Sequence, residues 1–287
     1  MAAVRTVLIV PPNDPEAVMI LELARAVGLQ VIRSAQPHGA TLDAEPDIVP
    51  LVRDGGWKRA VIVEMPGPKT EERLRALGVD VTIIDHHRYP NLDRARDAKT
   101  AKLLPSSLEQ FLRLMKLTPV RLKKLGFDPR LVRGVALMDR GFVWELMKAG
   151  YDAHEIERVL AYQRELMSTV RDQSGEERKD AAARKVWEKR KSWRGFLVIE
   201  SGSDIGMRGR VSLLIALELG RPTPLILLEK KRGFIYVQES DYALRLFKKF
   251  GGFTFGGDRN WGHRNVRGKK AVGLKKVQSA IEDWASV

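Results

Sequence analysis

Short apolar runs alternate with stretches of helical periodicity through the first part of the chain. Residues 6–10 (TVLIV) form one such run, followed by a helical pattern over 15–28 and a second run at 29–33 (LQVIR). The same order returns as 60–64 (AVIVE), a helical pattern over 70–78, and 79–84 (VDVTII). Strands alternating with helices at this spacing predict βαβ units and a parallel sheet buried on both faces. Gly28 and Gly78 stand where helix C-caps belong. Residues 106–150 read as helical, opening at a Ser106-Ser107 cap and carrying an apolar stripe through Leu108, Phe111, Leu112 and Met115.

Residues 153–190 continue with helical character but few large apolar side chains, above all over 172–184. This stretch reads as a connector. After Trp193 the alternation restarts with 196–200 (FLVIE), a helical pattern over 211–219, and further runs at 224–228 and 233–237. The expected architecture is α/β, with an N-terminal parallel-sheet domain over 1–152, a long helical connector over 153–192 and a smaller C-terminal α/β domain over 193–287.

The composition narrows the chemistry. None of the 287 residues is cysteine, which excludes disulfides, thiolate zinc sites and a thiol nucleophile. Any metal must be held by imidazole and carboxylate. The short N-terminal run resembles neither a signal peptide nor a membrane span, no later run is long enough to cross a bilayer, and a cytoplasmic, membrane-free location is expected. The formal charge is +14 and unevenly placed: −3 over 1–50, +2 over 51–100, +6 over 101–150, +1 over 151–200, +4 over 201–250 and +4 over 251–287. Such clustering suits a polyanionic partner, although a solvated basic surface gives the same count. Four Asn and seven Gln in the whole chain hint at a heat-adapted, thermophile source.

In an open parallel sheet, ligands bind beyond the C-terminal ends of the strands. Asn13-Asp14-Pro15-Glu16 follows the first run, Glu64 ends the third, and Asp85-His86-His87 follows the fourth. Asp139 ends the run 135–138 and precedes Gly141. Each has an ordinary alternative: Asp14 as a helix cap, Glu64 as a loop residue, Asp139 as a partner of Arg140, either His as a satisfied polar group. Together they form a carboxylate and imidazole set suited to Mn²⁺ or Mg²⁺ more than Zn²⁺.

The order of these groups resembles the DHH phosphoesterase superfamily, which includes RecJ-like exonucleases, nano-RNases, family II pyrophosphatases and the replication protein Cdc45. Residues 81–87 (VTIIDHH) resemble its signature, 13–17 (NDPEA) its first motif, Glu64 the position of its second, and 139–142 (DRGF) its fourth. Ser106-Ser107-Leu108-Glu109 falls where the family starts a helix after its paired histidines. Residues 262–268 (GHRNVRG), behind Gly251-Gly252 and Gly256-Gly257, resemble the Gly-His motif of the DHH-associated C-terminal domain.

The resemblance implies roles. One metal would be held by Glu16, by Glu64 as a bridge, by His86 and by Asp139. A second would use Asp14, Glu64 and a histidine whose position here is Val10, so one tight ion and a weak or absent second are expected. Asp85 would orient His86, and His87 would contact the scissile phosphate. Asp85, His86, His87 and Asp139 thus form the expected catalytic set, and Gly262, His263, Arg264 and Arg267 the expected substrate-binding set. Glu in place of Asp at 16 and 64, and Val266-Arg267 in place of two alanines, depart from the pattern. The expected function is a metal-dependent phosphodiesterase, of exonuclease or oligoribonuclease type, acting on single-stranded DNA or RNA or on short oligonucleotides. A homodimer or a replication or repair assembly is compatible with it. A Cdc45-like binding protein without activity is the alternative, and a small-molecule phosphatase a more distant one.

Overall fold

β-branched side chains are stiff at χ1 and fit a pleated surface covered on both faces, which is why the apolar runs become strands. The computed structural model describes residues 4–89, 92–170, 173–256, 258–266, 268 and 270–286. It opens with β1 (Thr6–Val10), α1 (Pro15–Ala26), β2 (Gln30–Arg33), α2 (Ile48–Asp54), β3 (Arg59–Val63), α3 (Pro68–Ala76) and β4 (Asp80–Ile84). The four strands form one parallel sheet in the order β2-β1-β3-β4. Alternation along β1 sends Leu8 and Val10 into the core beneath α1, and Val7 and Ile9 into the core on the opposite face. β1 and β3 are the inner strands, so the order of connection reverses between them, and their C-terminal ends lie beside that of β4. This is where a doubly wound sheet gathers its ligands.

A two-residue antiparallel pair follows, β5 (Arg88–Tyr89) and β6 (Leu92–Asp93). The stretch expected to be helical over 106–150 holds α4 (Ser107–Leu114), α5 (Pro119–Lys124) and α6 (Pro129–Lys148). The breaks have local causes. Thr118 caps α5 ahead of Pro119, Gly126 adopts φ +87° beyond the end of α5, and α6 kinks where Gly141 and Phe142 leave helical geometry. The expected connector holds two helices, α7 (Ala153–Ser168) and α8 (Gln173–Trp187).

The chain divides into two compact units. The first comprises 1–140 with 149–171, and the second comprises 141–148 with 172–287. α7 therefore belongs to the first unit and α8 to the second.

The second unit continues with β7 (Lys191–Trp193), β8 (Phe196–Ser201), α9 (Arg208–Leu219), β9 (Leu225–Glu229), β10 (Phe234–Gln238), α10 (Ala243–Phe250), β11 (Phe253–Phe255), β12 (Asn260–Arg264) and α11 (Leu274–Ala285). Its sheet has the order β11-β12-β10-β9-β8-β7, and only β8 and β9 pair in parallel. Ile235, Val237 and Trp261 pack on one face against Leu246 of α10 and Val277 and Ile281 of α11. Among the described residues, no helix is long and apolar enough to cross a membrane.

Candidate active site

The loop after β1 turns directly into α1. Asp14 is the N-cap of that helix, its Oδ1 accepting from the Ala17 N–H at 2.8 Å, and Pro15 takes the first helical position, where no N–H is needed. Two residues on, Glu16 lies in the first turn and is 1% exposed. Its Oε1 accepts from the Leu108 N–H at 2.9 Å, at the N-terminus of α4. The Ser107 hydroxyl beside it donates to Glu64 Oε1 at 2.7 Å. α4 itself is fixed by a capping box between Ser106 and Glu109, and Glu109 accepts from Arg140 at 3.1 Å. The free amides at this helix end carry partial positive charge, which holds two carboxylates that would otherwise repel each other.

Glu64 follows β3 with φ +50°, in the left-handed region that a non-glycine residue adopts at a cost of about 1–3 kcal/mol. The turn aims its carboxylate back toward β4, where His86 Nε2 lies 3.3 Å and His87 Nδ1 3.7 Å from Glu64 Oε1. His86 Nε2 is also 2.7 Å from Asp139 Oδ2 and 3.8 Å from Glu16 Oε2. The 2.7 Å approach is short but lacks hydrogen-bond alignment: Glu16 Oε2, His86 Nε2 and Asp139 Oδ2 are all buried without a hydrogen-bond partner. Buried atoms that crowd together as ion pairs with so few aligned hydrogen bonds leave lone pairs for a shared cation. Glu16, Glu64, His86 and Asp139 each offer a ligand atom within 4.8 Å of the others, and this donor set fits a hard divalent cation.

Protonation follows from the crowding. Burial, together with Asp139 and Glu64, pushes Glu16 well above the usual carboxylate range. Burial and the same two neighbours raise Asp14 to about 7. Burial alone would lower His86, but the carboxylates of Asp139 and Glu64 raise it to about 10. Burial would raise Asp139, but His86 and His87 hold it below the ordinary value. The metal-free site thus favours the protonated form of Glu16 and sets Asp139 against the charged form of His86.

The structure brings together most of the residues expected from sequence. Asp14 is close enough to feel Glu64 and Asp139 but joins no ligand group among the described residues. Val10 is fully buried in the apolar core, so no donor stands where the resemblance places a histidine. A second group, Glu64 with His86 and His87, also brings its ligand atoms within 4.8 Å of one another. Asp85 departs from its expected role. It faces His87, Oδ1 accepting from the His87 N–H at 2.9 Å and lying 3.2 Å from His87 Nδ1, because a carboxylate two residues before an amide closes an Asx turn. His87, half-buried, is therefore the imidazole that Asp85 orients.

In the second unit, Gly262, His263 and Arg264 lie consecutively on β12, so their side chains alternate. Gly262 and Arg264 face one way. His263 faces the other, stacked on buried Trp261 at 6.0 Å, and cannot grip a ligand from the same side as Arg264. Arg267 lies outside the described residues. Sequence reasoning missed Ser107 as the partner of Glu64, and Gln110, whose Nε2 donates to Asp85 O at 2.9 Å. The capping pattern was visible there, but its opposing carboxylate comes from a residue 43 positions away.

This architecture has solved counterparts. The exopolyphosphatase-related protein from Bacteroides fragilis matches over 99% of this chain and 94% of its own, with a TM-score of 0.50 and 12% identity. The chain shares the fold of that protein. A structure of exonuclease RecJ bound to manganese also matches, over 99% of this chain and 90% of its own, with a TM-score of 0.46 and 15% identity. No family model and no curated protein matches the sequence. Within this fold, the cluster described above occupies the C-terminal edge of the parallel sheet.

The left-handed turn at Glu64 makes a testable difference between two small substitutions. Glu64→Gly and Glu64→Ala both remove the carboxylate and should both lose the cation. Glycine tolerates positive φ, so the Gly variant is expected to be about 1 kcal/mol more stable than the Ala variant in chemical denaturation under EDTA. The reverse order would show that the turn relaxes once the carboxylate is gone.

Proposed function

We propose that the chain is a metal-dependent phosphodiesterase acting on single-stranded nucleic acid or short oligonucleotides. The observation that carries this reading is the convergence of Glu16 Oε2, His86 Nε2 and Asp139 Oδ2, buried and without an aligned hydrogen bond, around Glu64. Glu16, Glu64, His86 and Asp139 would hold Mn²⁺ or Mg²⁺. When bound, such an ion supplies hydroxide near neutral pH and neutralises charge on the phosphoryl group.

The chain's own residues have separate tasks. Leu108 N–H and the Ser107 hydroxyl fix one oxygen each of Glu16 and Glu64, which sets the direction of their remaining lone pairs. Asp85 fixes the backbone and ring of His87. Burial would lower His87, but Asp85 and Glu64 raise it above the ordinary imidazole value, which favours the protonated form that would donate to a phosphate oxygen. The clustered positive charge after residue 100 supports a polyanionic substrate.

A second reading, a nucleic-acid-binding protein without hydrolytic activity, is favoured by Val10 in the core and by glutamate at 16 and 64. End-labelled single-stranded DNA and RNA incubated with Mn²⁺, Mg²⁺ or EDTA separates the two. The expected result is shortening of the strand with Mn²⁺ and none with EDTA. Salt-sensitive binding with no cleavage under any metal would establish the second reading, and cleavage of inorganic polyphosphate in place of oligonucleotides would redirect the substrate assignment.

A further inference from the structure

The cluster is assembled on two supports. The imidazoles follow β4, whose pairing with β3 ends as the Glu64 N–H donates to Ile84 O at 3.0 Å. The first turn of α4 holds the carboxylates, through the Leu108 N–H to Glu16 and the Ser107 hydroxyl to Glu64. Between these supports the chain leaves the sheet after Asp85, forms β5 and β6, and returns at Pro105 to the cap of α4. Ile84, Leu108 and Phe111 share one apolar core, which brings the supports together but leaves their register loose, because hydrophobic contact is non-directional. Distances of 3.3 and 3.8 Å from His86 Nε2 to Glu64 and Glu16 call for a directional tie between them.

Gln110 on α4 supplies that tie. Its Nε2 donates to Asp85 O and to Pro105 O, each at 2.9 Å, so both amide protons are used. The two acceptors stand 25 and 5 positions before it in the chain. One carbonyl belongs to the residue directly before His86, the other to the residue directly before the Ser106 cap. A single half-buried side chain thus closes the neck of the whole excursion between β4 and α4. The residue type matters here. A primary amide brings two protons to two carbonyls, whereas a carboxylate of the same shape has only acceptors to set against them, and a thioether of similar length has no proton to give. Gln110 reaches the cluster through the backbone of Asp85 and Pro105.

We propose that Gln110 is a positioning residue for the metal centre, its amide setting the separation between His86 and the carboxylates of Glu16 and Glu64. The proposal rests on the metal-dependent reading above and names a residue on which cation affinity depends although it is not a ligand. Its two bonds orient carbonyls whose neighbours carry the donor groups, so their loss costs affinity as the loss of an outer hydrogen bond to a metal ligand does.

The test compares Gln110→Met, which keeps the length and removes both donors, and Gln110→Glu, which replaces them with acceptors, with Leu122→Ala, a truncation on α5 in the same core that leaves the tie intact. Calorimetry measures Mn²⁺ binding, thermal unfolding in EDTA measures stability, and NMR in EDTA follows the ring signals of His86 and His87. Gln110→Met should weaken Mn²⁺ binding about tenfold or more, and Gln110→Glu further still, both with displaced histidine signals. Leu122→Ala should lose at least as much thermal stability as Gln110→Met yet hold its Mn²⁺ affinity within about twofold, as independent sites do. Unchanged affinity in Gln110→Met would overturn the proposal, as would a Gln110→Glu variant that binds like the wild type or a Leu122→Ala loss equal to that of Gln110→Met. Should the wild type bind no Mn²⁺ while the histidine signals move in the Gln110 variants and stay fixed in Leu122→Ala, the positioning role stands and the metal-dependent reading falls. Mn²⁺ binding with affinity and histidine signals untouched in the Gln110 variants removes the role and leaves the metal-dependent reading in place.

Discussion

Asp139→Ala should abolish tight Mn²⁺ binding, raising the dissociation constant by at least about a hundredfold, while Asp14→Asn should change it by less than about tenfold. Losing a hydrogen-bond partner that merely orients a metal ligand already costs about 10–100-fold in affinity, so removing a ligand should cost no less. Asp139 Oδ2 is one of the three unpartnered atoms at the cluster, 2.7 Å from His86 Nε2. Its loss would leave Glu16, Glu64 and His86 as the remaining donors. Asp14 spends Oδ1 on the Ala17 N–H and stands outside both ligand groups. Asparagine keeps that cap and removes only a nearby charge. Titration calorimetry with Mn²⁺ measures both constants. Equal losses in the two variants would move the ion toward the end of β1 and overturn the four-residue assignment.

Glu16→Gln should make the metal-free protein more stable and the metal-loaded comparison worse. Glu16 is pushed well above its ordinary 4.5 by burial and by Asp139 and Glu64. A carboxyl group whose folded pKa is raised binds its proton more tightly in the native state, so it costs stability as pH rises from its unfolded value toward its folded one. The penalty grows by about 1.4 kcal/mol per pH unit across that window. Glutamine can keep the acceptor for Leu108 N–H and has no proton to lose, so in EDTA at neutral pH the variant should gain at least about 1 kcal/mol and melt several degrees higher. Adding Mn²⁺ should reverse the order, because only the wild type is stabilised by a ligand of the native state. Thermal unfolding with and without Mn²⁺ reads this directly. A variant less stable in EDTA, or one that Mn²⁺ still protects fully, would remove Glu16 from the site.

Strand and helix identity along 6–84 was legible because it is carried by local periodicity. A run such as TVLIV fits only a covered strand, and Pro15 and Gly78 mark helix ends by backbone restrictions that need no partner. The carboxylates at strand ends were legible for the same reason, since a polar residue directly after a buried run must sit at the sheet edge. The breaks inside 106–150 were less visible, because an apolar stripe continues across Thr118 and Gly126 and the turns there are local events without a change of period.

What only the tertiary structure decided depends on direction and on pairing. Glu64 turns toward His86 through a left-handed backbone that no residue type at that position announces. Asp85 meets His87 and not His86, because which imidazole an adjacent carboxylate reaches is set by the turn after β4. On β12, strand alternation gives His263 and Arg264 opposite faces, and which face is covered is fixed by the docking of α10 and α11. The sequence specifies each of these side chains, but their meeting is set by long-range register, which short-range periodicity does not encode.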